Sequence, residues 1–396
     1  MRLLICAGGT GGGVYPALAV LQALESENER KTARSFDGME EDQDQQGRIS
    51  GVELLWVGGL GGMESELVQQ RGVTYAGIPA AGIHGVGLRA LPGNLWEVGR
   101  GVISARRILN RFRPDVMLFT GGFVAVPVAL ASKFPGLGMP APANLLYVPD
   151  IEPGWALKIL ARFADQIAVT VPASRRYFEK EKVTVVGYPT RRELKTWDRA
   201  TARKTLNLSA LLPVLLVIGG STGARSINRA LLAILPQLLE EMQVVHIAGK
   251  RDWKEVESFE KMLTDQQLAR YRAYPYLHRE IGAALAIADL VLSRAGASSL
   301  GEYPLFGLPA ILVPYPYAWR YQEVNARYLV ERGAAAMIPD QDLPDRLLPA
   351  VRELMNNPSR REKMGQAMSE LARPDAAKSI GDIILRMAAG KSKGRV

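Results

Sequence analysis

The chain has one cysteine and three histidines in 396 residues, and each scarcity narrows what it can be. A single thiol forms no internal disulfide, and Cys6 lies in the first apolar run, so it reads as a buried side chain in a reducing, cytoplasmic compartment. No stretch reaches the roughly twenty apolar residues of a spanning helix. The start MRLLICAGG lacks the charged region, long apolar run and cleavage site of a signal peptide. The expected protein is neither exported nor membrane-spanning. No Gly-Lys-Ser/Thr follows either of its two glycine loops, and a dinucleotide fingerprint counted from Gly9 meets Val14 in place of its third glycine. Both absences count against nucleotidase and dehydrogenase readings. No nucleic-acid module accompanies the net charge of +9, so no nucleic-acid partner is expected.

What is present is regular. The length exceeds what one hydrophobic core serves, and 47% hydrophobic with 22% charged residues is the composition of an ordinary globular protein. The first half alternates apolar runs (LLICAGG, VELLWVGG, DVMLFTGG, ANLLYV, QIAVTV) with helical patterns, and the second half restarts with PVLLVIGGSTGAR, QVVHIAG, ADLVLSRAG and PAILVPYP. Such alternation predicts two α/β domains, each a parallel sheet covered by helices. Residues 25–51 interrupt the first helix-to-strand step with a polar, charged stretch that buries too little apolar surface to order itself, and a solvated, mobile insertion is expected. Asp42 and Asp44 within it form an Asp-x-Asp pair but lack the rigid surroundings a metal site needs.

The positive charge is concentrated. In residues 88–115, Arg89, Arg100, Arg106, Arg107, Arg111 and Arg113 interleave with Leu91, Leu95, Trp96, Val102, Ile103, Ile108 and Leu109. A basic amphipathic segment of this kind suits an anionic membrane surface, or is a surface helix whose apolar stripe packs on its own domain.

In an α/β sheet the loop leaving a strand's carboxyl end carries the ligand, and the next helix offers free N–H groups. Gly8, Gly9, Gly11, Gly12 and Gly13 would let backbone approach a phosphate, and Gly219, Gly220, Ser221, Thr222 and Gly223 repeat the device. One such loop is weak evidence; one opening each half is stronger.

The order of AGGTGG (7–12) with Pro16 to Ala19, GGF (121–123), Gly187, Pro189 and Arg191, GGSTGAR (219–225), SRAGASSLGE (293–302), GLPAILVPYP (307–316), and Gln322, Asn325 and Ala326 resembles a known family. It is that of the family 28 glycosyltransferases of GT-B type, among them the N-acetylglucosaminyl transferases of peptidoglycan synthesis. The resemblance implies two Rossmann-like parallel-sheet domains facing across a cleft: residues 1–186 for the acceptor and membrane side, 187–372 for the donor, and 373–396 as a helix returning to the first domain with a basic tail. It implies inverting transfer of N-acetylglucosamine from its uridine diphosphate carrier to a polyprenol-linked muramyl-pentapeptide. No metal or other cofactor is expected, and the location implied is peripheral, on the cytoplasmic face of the cell membrane.

By the same resemblance, Ser221, Arg191, Ala297, Ser298 and Ser299 would meet the donor's diphosphate, and Glu302 the ribose hydroxyls. Leu277 would offer backbone to the uracil, Gln322 would grip the sugar hydroxyls with Asn325 nearby, and Thr10, Gly11 and Gly12 would lie near the donor sugar. Gly9, Thr10, Gly11, Gly12, Gly13 and Gly122 would face the acceptor's diphosphate. Each type has its own reason: Arg carries a permanent charge, and Ser hydroxyls and loop N–H groups are donors to phosphate oxygens.

The pattern also departs from the family. Gly13 stands where a histidine is usual, Tyr147 to Asp150 replace a His-Glu-Gln-Asn stretch, and Tyr321 replaces a histidine before Gln322. Sugar transfer wants a base within reach of the acceptor hydroxyl. His84, His246 and His278 occupy no familiar base position, and His84 reads as a solvated loop residue. Asp150, in the slot of the family's sugar-contacting asparagine, is the candidate base and a donor contact, or a turn aspartate beside Pro149. Two alternatives stay open: a related transferase using the same donor with another lipid or glycan acceptor, and a catalytically silent paralogue that binds nucleotide sugar. Acceptor-dependent turnover separates them.

Overall fold

The apolar runs become strands. A computed structural model describes residues 1–8, 11–35, 48–49, 51–62, 64–80, 91–133, 140–220, 223–317 and 321–393. Residues Met1–Pro189 with Asp375–Val396 form one compact unit, and Thr190–Pro374 form the other.

In the first unit the described strands are β1 (Arg2–Ala7), β2 (Arg48–Ile49), β3 (Val52–Gly59), β4 (Thr74–Ile78), β5 (Val116–Gly121), β6 (Ala143–Val148), β7 (Gln166–Val169) and β8 (Val183–Val185). The sheet runs β3-β1-β5-β6-β7-β8, with β4 parallel to β3 and the two-residue β2 antiparallel at its start. Strands such as Leu3, Leu4, Ile5, Cys6 are buried throughout, as a parallel sheet covered on both faces requires. The buried Cys6 matches its reading from sequence.

The second unit has β9 (Val214–Ile218), β10 (Gln243–Ile247), β11 (Tyr271–Tyr274), β12 (Leu290–Ser293), β13 (Ala310–Leu312) and β14 (Ala335–Met337), all parallel, in the order β11-β10-β9-β12-β13-β14. Each sheet reverses direction once, between β1 and β5 and between β9 and β12. Ligands of doubly wound sheets sit at such switch points, outside the carboxyl ends of the strands. Both glycine loops leave these strands.

The helix Ala376–Lys393 belongs to the first unit, where Ile380, Ile383 and Ile384 join the core of Leu3, Leu18 and Val116. Gly381 keeps it close: a Cβ there would lie 3.2 Å from the Leu24 side chain. One expectation is corrected. The solvated insertion predicted for residues 25–51 is in part regular, since the helix beginning at Gly11 continues to Ser35 and Arg48–Ile49 pairs with β3. Extending a nucleated helix needs no apolar burial when Glu, Lys and Arg supply the propensity. Asp42 and Asp44 lie outside the described residues. Among the described residues, no helix is long and apolar enough to cross a membrane.

Candidate active site

The second glycine loop runs from β9 into the helix Arg225–Glu241. Gly220 and Gly223 have φ of +81° and +92°, a region that favours glycine, and a Cβ on Gly223 would meet the Ala248 carbonyl at 2.8 Å. Beneath the loop lies a chain of buried polar side chains. Asn228 Nδ2 donates to the Ala248 carbonyl and to Asp252 Oδ2, both at 2.9 Å, while Asp252 Oδ1 accepts from Arg225 Nε at 3.3 Å. His246 bridges Asn228 Oδ1 at 3.0 Å and the Tyr271 hydroxyl at 2.7 Å. Burial pushes the His246 ring down to about 3, so it is neutral and structural. The network fixes the main chain at Gly223 and Ala248. Ser221 and Thr222 lie outside the described residues.

A second cluster stands at the exit of β12. Arg294 is paired with Asp340, donates to Ser226 Oγ at 2.8 Å and lies over the Tyr315 ring. Ala297–Leu300 form a 3₁₀ turn in which Ser299 Oγ donates to the Gly296 carbonyl at 2.7 Å, and the chain then enters the short helix Glu302–Phe306. Ala297 and Ser299 are buried and Ser298 half-buried. Burial pushes the half-buried Glu302 carboxyl up, and the Arg191 guanidinium pulls it back. Arg191 and Glu302, 111 positions apart in the chain, therefore sense each other's charge.

Gln322 begins the helix Tyr321–Val330 and its Oε1 accepts from the Tyr315 N–H at 2.9 Å, which leaves its amide N–H groups to point elsewhere. Asn325 is fully buried, and its amide donates to the Ala295 carbonyl at 3.1 Å, beneath the SRAG segment. Leu277 has a buried side chain in the segment after β11. Sequence reading missed His246, Asn228, Asp252 and Arg294 as supports. The available signal was a histidine inside the apolar run QVVHI.

In the first unit, Gly9 and Thr10 lie outside the described residues, and Gly11 and Gly12 open the helix that follows. Gly13 is buried against β5, its carbonyl accepting from Thr120 Oγ1 at 2.8 Å. A Cβ there would lie 3.3 Å from both oxygens of Thr120, so any side chain needs them to give by a few tenths of an ångström. Gly122 (φ +88°) would carry a Cβ 2.4 Å from the Gly8 carbonyl oxygen, which shows how closely the exits of β1 and β5 approach. Asp150 is half-buried just past β6. Its neighbour Tyr147 is buried, with its hydroxyl 2.9 Å from Thr170 Oγ1, and is pushed up by burial first and by the Asp150 charge in lesser part. Of the other histidines, His278 is exposed and edge-on to Tyr276, and His84 lies outside the described residues.

The basic segment forms the helix Leu91–Phe112. Ala105 and Leu109 pack inward, whereas Trp96 (70% exposed) and Ile103 (57%) face out. Trp96, Arg100, Ile103 and Arg107 are spaced four, three and four residues apart, one stripe of a helix. Arg106, Arg111 and Arg113 are exposed beside it, and Arg89 is outside the described residues.

Known proteins match along nearly the whole chain. The glycosyltransferase family 28 N-terminal domain matches residues 3–169, and the family 28 C-terminal domain matches residues 214–380. A relative from Roseiflexus sp. (strain RS-1) is 38% identical, over 97% of this chain and 94% of its own. Another, from Desulforudis audaxviator, is 37% identical over 98% and 99%. Both carry the name UDP-N-acetylglucosamine–N-acetylmuramyl-(pentapeptide) pyrophosphoryl-undecaprenol N-acetylglucosamine transferase. Among solved structures, Acinetobacter baumannii MurG superposes with a TM-score of 0.70 at 23% identity, covering 97% of this chain and 99% of that one, a likeness of fold.

Proposed function

The chain belongs to glycosyltransferase family 28, and on that premise we propose that it transfers N-acetylglucosamine, with inversion, from uridine diphosphate N-acetylglucosamine to a lipid-linked N-acetylmuramyl-pentapeptide. The observation that carries this reading is the match to both family 28 domains and to relatives named for that transfer over nearly the whole chain; the lowering effect of Arg191 on the Glu302 carboxyl is consistent with it. A nucleoside diphosphate asks for this pairing: a cation and free helix N–H groups for the phosphates, and a carboxylate for the ribose hydroxyls.

The acceptor hydroxyl attacks the anomeric carbon, and the bond from that carbon to the diphosphate oxygen breaks with its electron pair leaving on uridine diphosphate. The proton of the hydroxyl passes to Asp150. Arg191, Ser221 and the start of the helix at Arg225 meet the charge that develops on the leaving group, an electrostatic role that acts in the transition state. Gln322 orients the sugar, Asn325 holds the SRAG segment from beneath, and the first glycine loop with Gly122 takes the acceptor's diphosphate. No metal enters this scheme, so turnover in excess chelator should match turnover without it; restoration by a divalent ion after chelation contradicts that point.

The exposed Trp96–Arg100–Ile103–Arg107 stripe supports peripheral attachment to an anionic bilayer. The function is tested by incubating the protein with both substrates and weighing the lipid product. A gain of one N-acetylhexosamine is expected. Transfer only to a different lipid or glycan overturns the acceptor assignment, and no transfer to any acceptor overturns the enzymatic reading.

A further inference from the structure

Glu64 is an acid where an acid is costly. It is 1% exposed, on a loop-and-helix segment at the carboxyl end of β3, and its Oε1 accepts the Gly59 N–H at 3.0 Å. Burying a carboxylate costs several kcal/mol unless hydrogen bonds compensate. Around it the chain is glycine from two separate segments. A Cβ on Gly8 would lie 2.4 Å from Oε1, one on Gly58 2.9 Å, and one on Gly62 2.3 Å. Real side chains do not approach so closely, so the carboxylate occupies the side-chain space of Gly8 and Gly62, while that of Gly58 is taken first by the Tyr75 hydroxyl at 2.4 Å. The Tyr75 hydroxyl closes the cup, donating to the Gly59 carbonyl at 2.7 Å. Burial, and then the Glu64 charge, pushes both that hydroxyl and the Cys6 thiol up.

Gly8 is thus pressed from two sides. Glu64 fills the space of its side chain, and its own carbonyl fills the space of a side chain on Gly122. The exit of β1, from which the first glycine loop departs, is clamped between the end of β3 and the end of β5. A glycine whose side-chain space holds a carboxylate is not there to admit a phosphate, which sets Gly8 apart from the role expected of Gly11 and Gly12.

We propose that Glu64 is a positioning residue for the acceptor step: through Gly8 it sets the exit of β1, and hence the first glycine loop, without touching the donor. This rests on the transferase reading above. The test is steady-state kinetics of Glu64→Ala and Glu64→Gln with each substrate varied, beside thermal unfolding of the same proteins. Glu64→Ala should lower kcat/KM for the lipid acceptor roughly tenfold to a hundredfold, as small misplacements do, with the donor KM within about twofold of wild type. Glu64→Gln keeps an amide oxygen for the Gly59 N–H and should recover most of the loss. Gly8→Ala should be far more harmful in the wild-type background than in Glu64→Ala, where the obstructing carboxylate is gone. Unchanged acceptor kinetics in Glu64→Ala, an equal loss toward both substrates, or strict additivity with Gly8→Ala overturns the proposal. If Glu64→Ala does not fold, Tyr75→Phe removes one hydroxyl from the cup and should give a smaller loss of the same kind; wild-type kinetics there would then count against it. A wild-type protein without turnover would refute the transferase reading, while the Gly8–Glu64 cycle read by thermal unfolding would still judge the contact.

Discussion

The two glycine loops have similar sequences and are held by opposite means. Beneath the second, a neutral chain of side chains (Tyr271, His246, Asn228) leads to the Asp252–Arg225 pair, and the space beside Gly223 is filled by the Ala248 carbonyl and Asp252. Beside the first, a buried carboxylate that accepts the Gly59 N–H sits within a cup of glycines, and Gly13 is pinned by Thr120. The comparison teaches that glycine content alone does not say what a loop holds. What occupies the missing side chain's place does, and in both loops the protein itself supplies an occupant: the Ala248 carbonyl and Asp252 beside Gly223, the Glu64 carboxylate beside Gly8.

The difference predicts separable defects. The largest is expected at the acceptor unit's base: Asp150→Asn should lower kcat by roughly 10²–10⁴ while leaving donor affinity near wild type. Steady-state rates check it, and a wild-type kcat would remove Asp150 from the chemistry. Next, Arg191→Ala should cost about 10²–10³ in kcat/KM for the donor, and it should move a pH profile. Arg191 pulls the Glu302 carboxyl down against burial. Without the guanidinium, Glu302 stays protonated to higher pH, so donor binding should fail at a less acidic pH than in wild type. An unmoved acid limb would separate the two residues.

The smallest effect concerns stability. His246 titrates near 3 in the folded protein against an ordinary value of 6.5. Between those values the unfolded chain binds more protons, so stability is complete above about pH 6.5 and falls as pH drops toward 3. On the order of 3 kcal/mol should be lost between pH 7 and pH 4 from this residue. His246→Gln should be less stable at pH 7 yet flatter across that range, by chemical denaturation; an equal slope in both proteins would take His246 out of the network.

Local patterns reached far into this fold. Buried parallel strands announce themselves as continuous apolar runs, so PVLLVIGG and DVMLFTGG place β9 and β5 with the loops that follow. Order along the chain also singled out Arg191 and Glu302, whose coupling only the folded chain displays. Support from distant residues stayed hidden. Glu64 and Gly8 are 56 positions apart, and no local pattern links a buried acid to a glycine that far away. Asn325 shows a related limit: an amide next to a binding segment serves equally as a ligand or as a strut, and only the fold displays its hydrogen bond to the Ala295 carbonyl. Composition gives the charged stretch after Leu24 no core to join, yet a helix already begun at Gly11 needs none to continue to Ser35.

The division of labour between the two units is tested most directly by calorimetric titration of the full chain with uridine diphosphate N-acetylglucosamine, comparing wild type, Glu302→Gln and Asp150→Asn. Saturable binding at one site per chain is expected in wild type and in Asp150→Asn, with affinity at least tenfold weaker in Glu302→Gln. Equal affinity in all three proteins, or loss in Asp150→Asn with retention in Glu302→Gln, would contradict it.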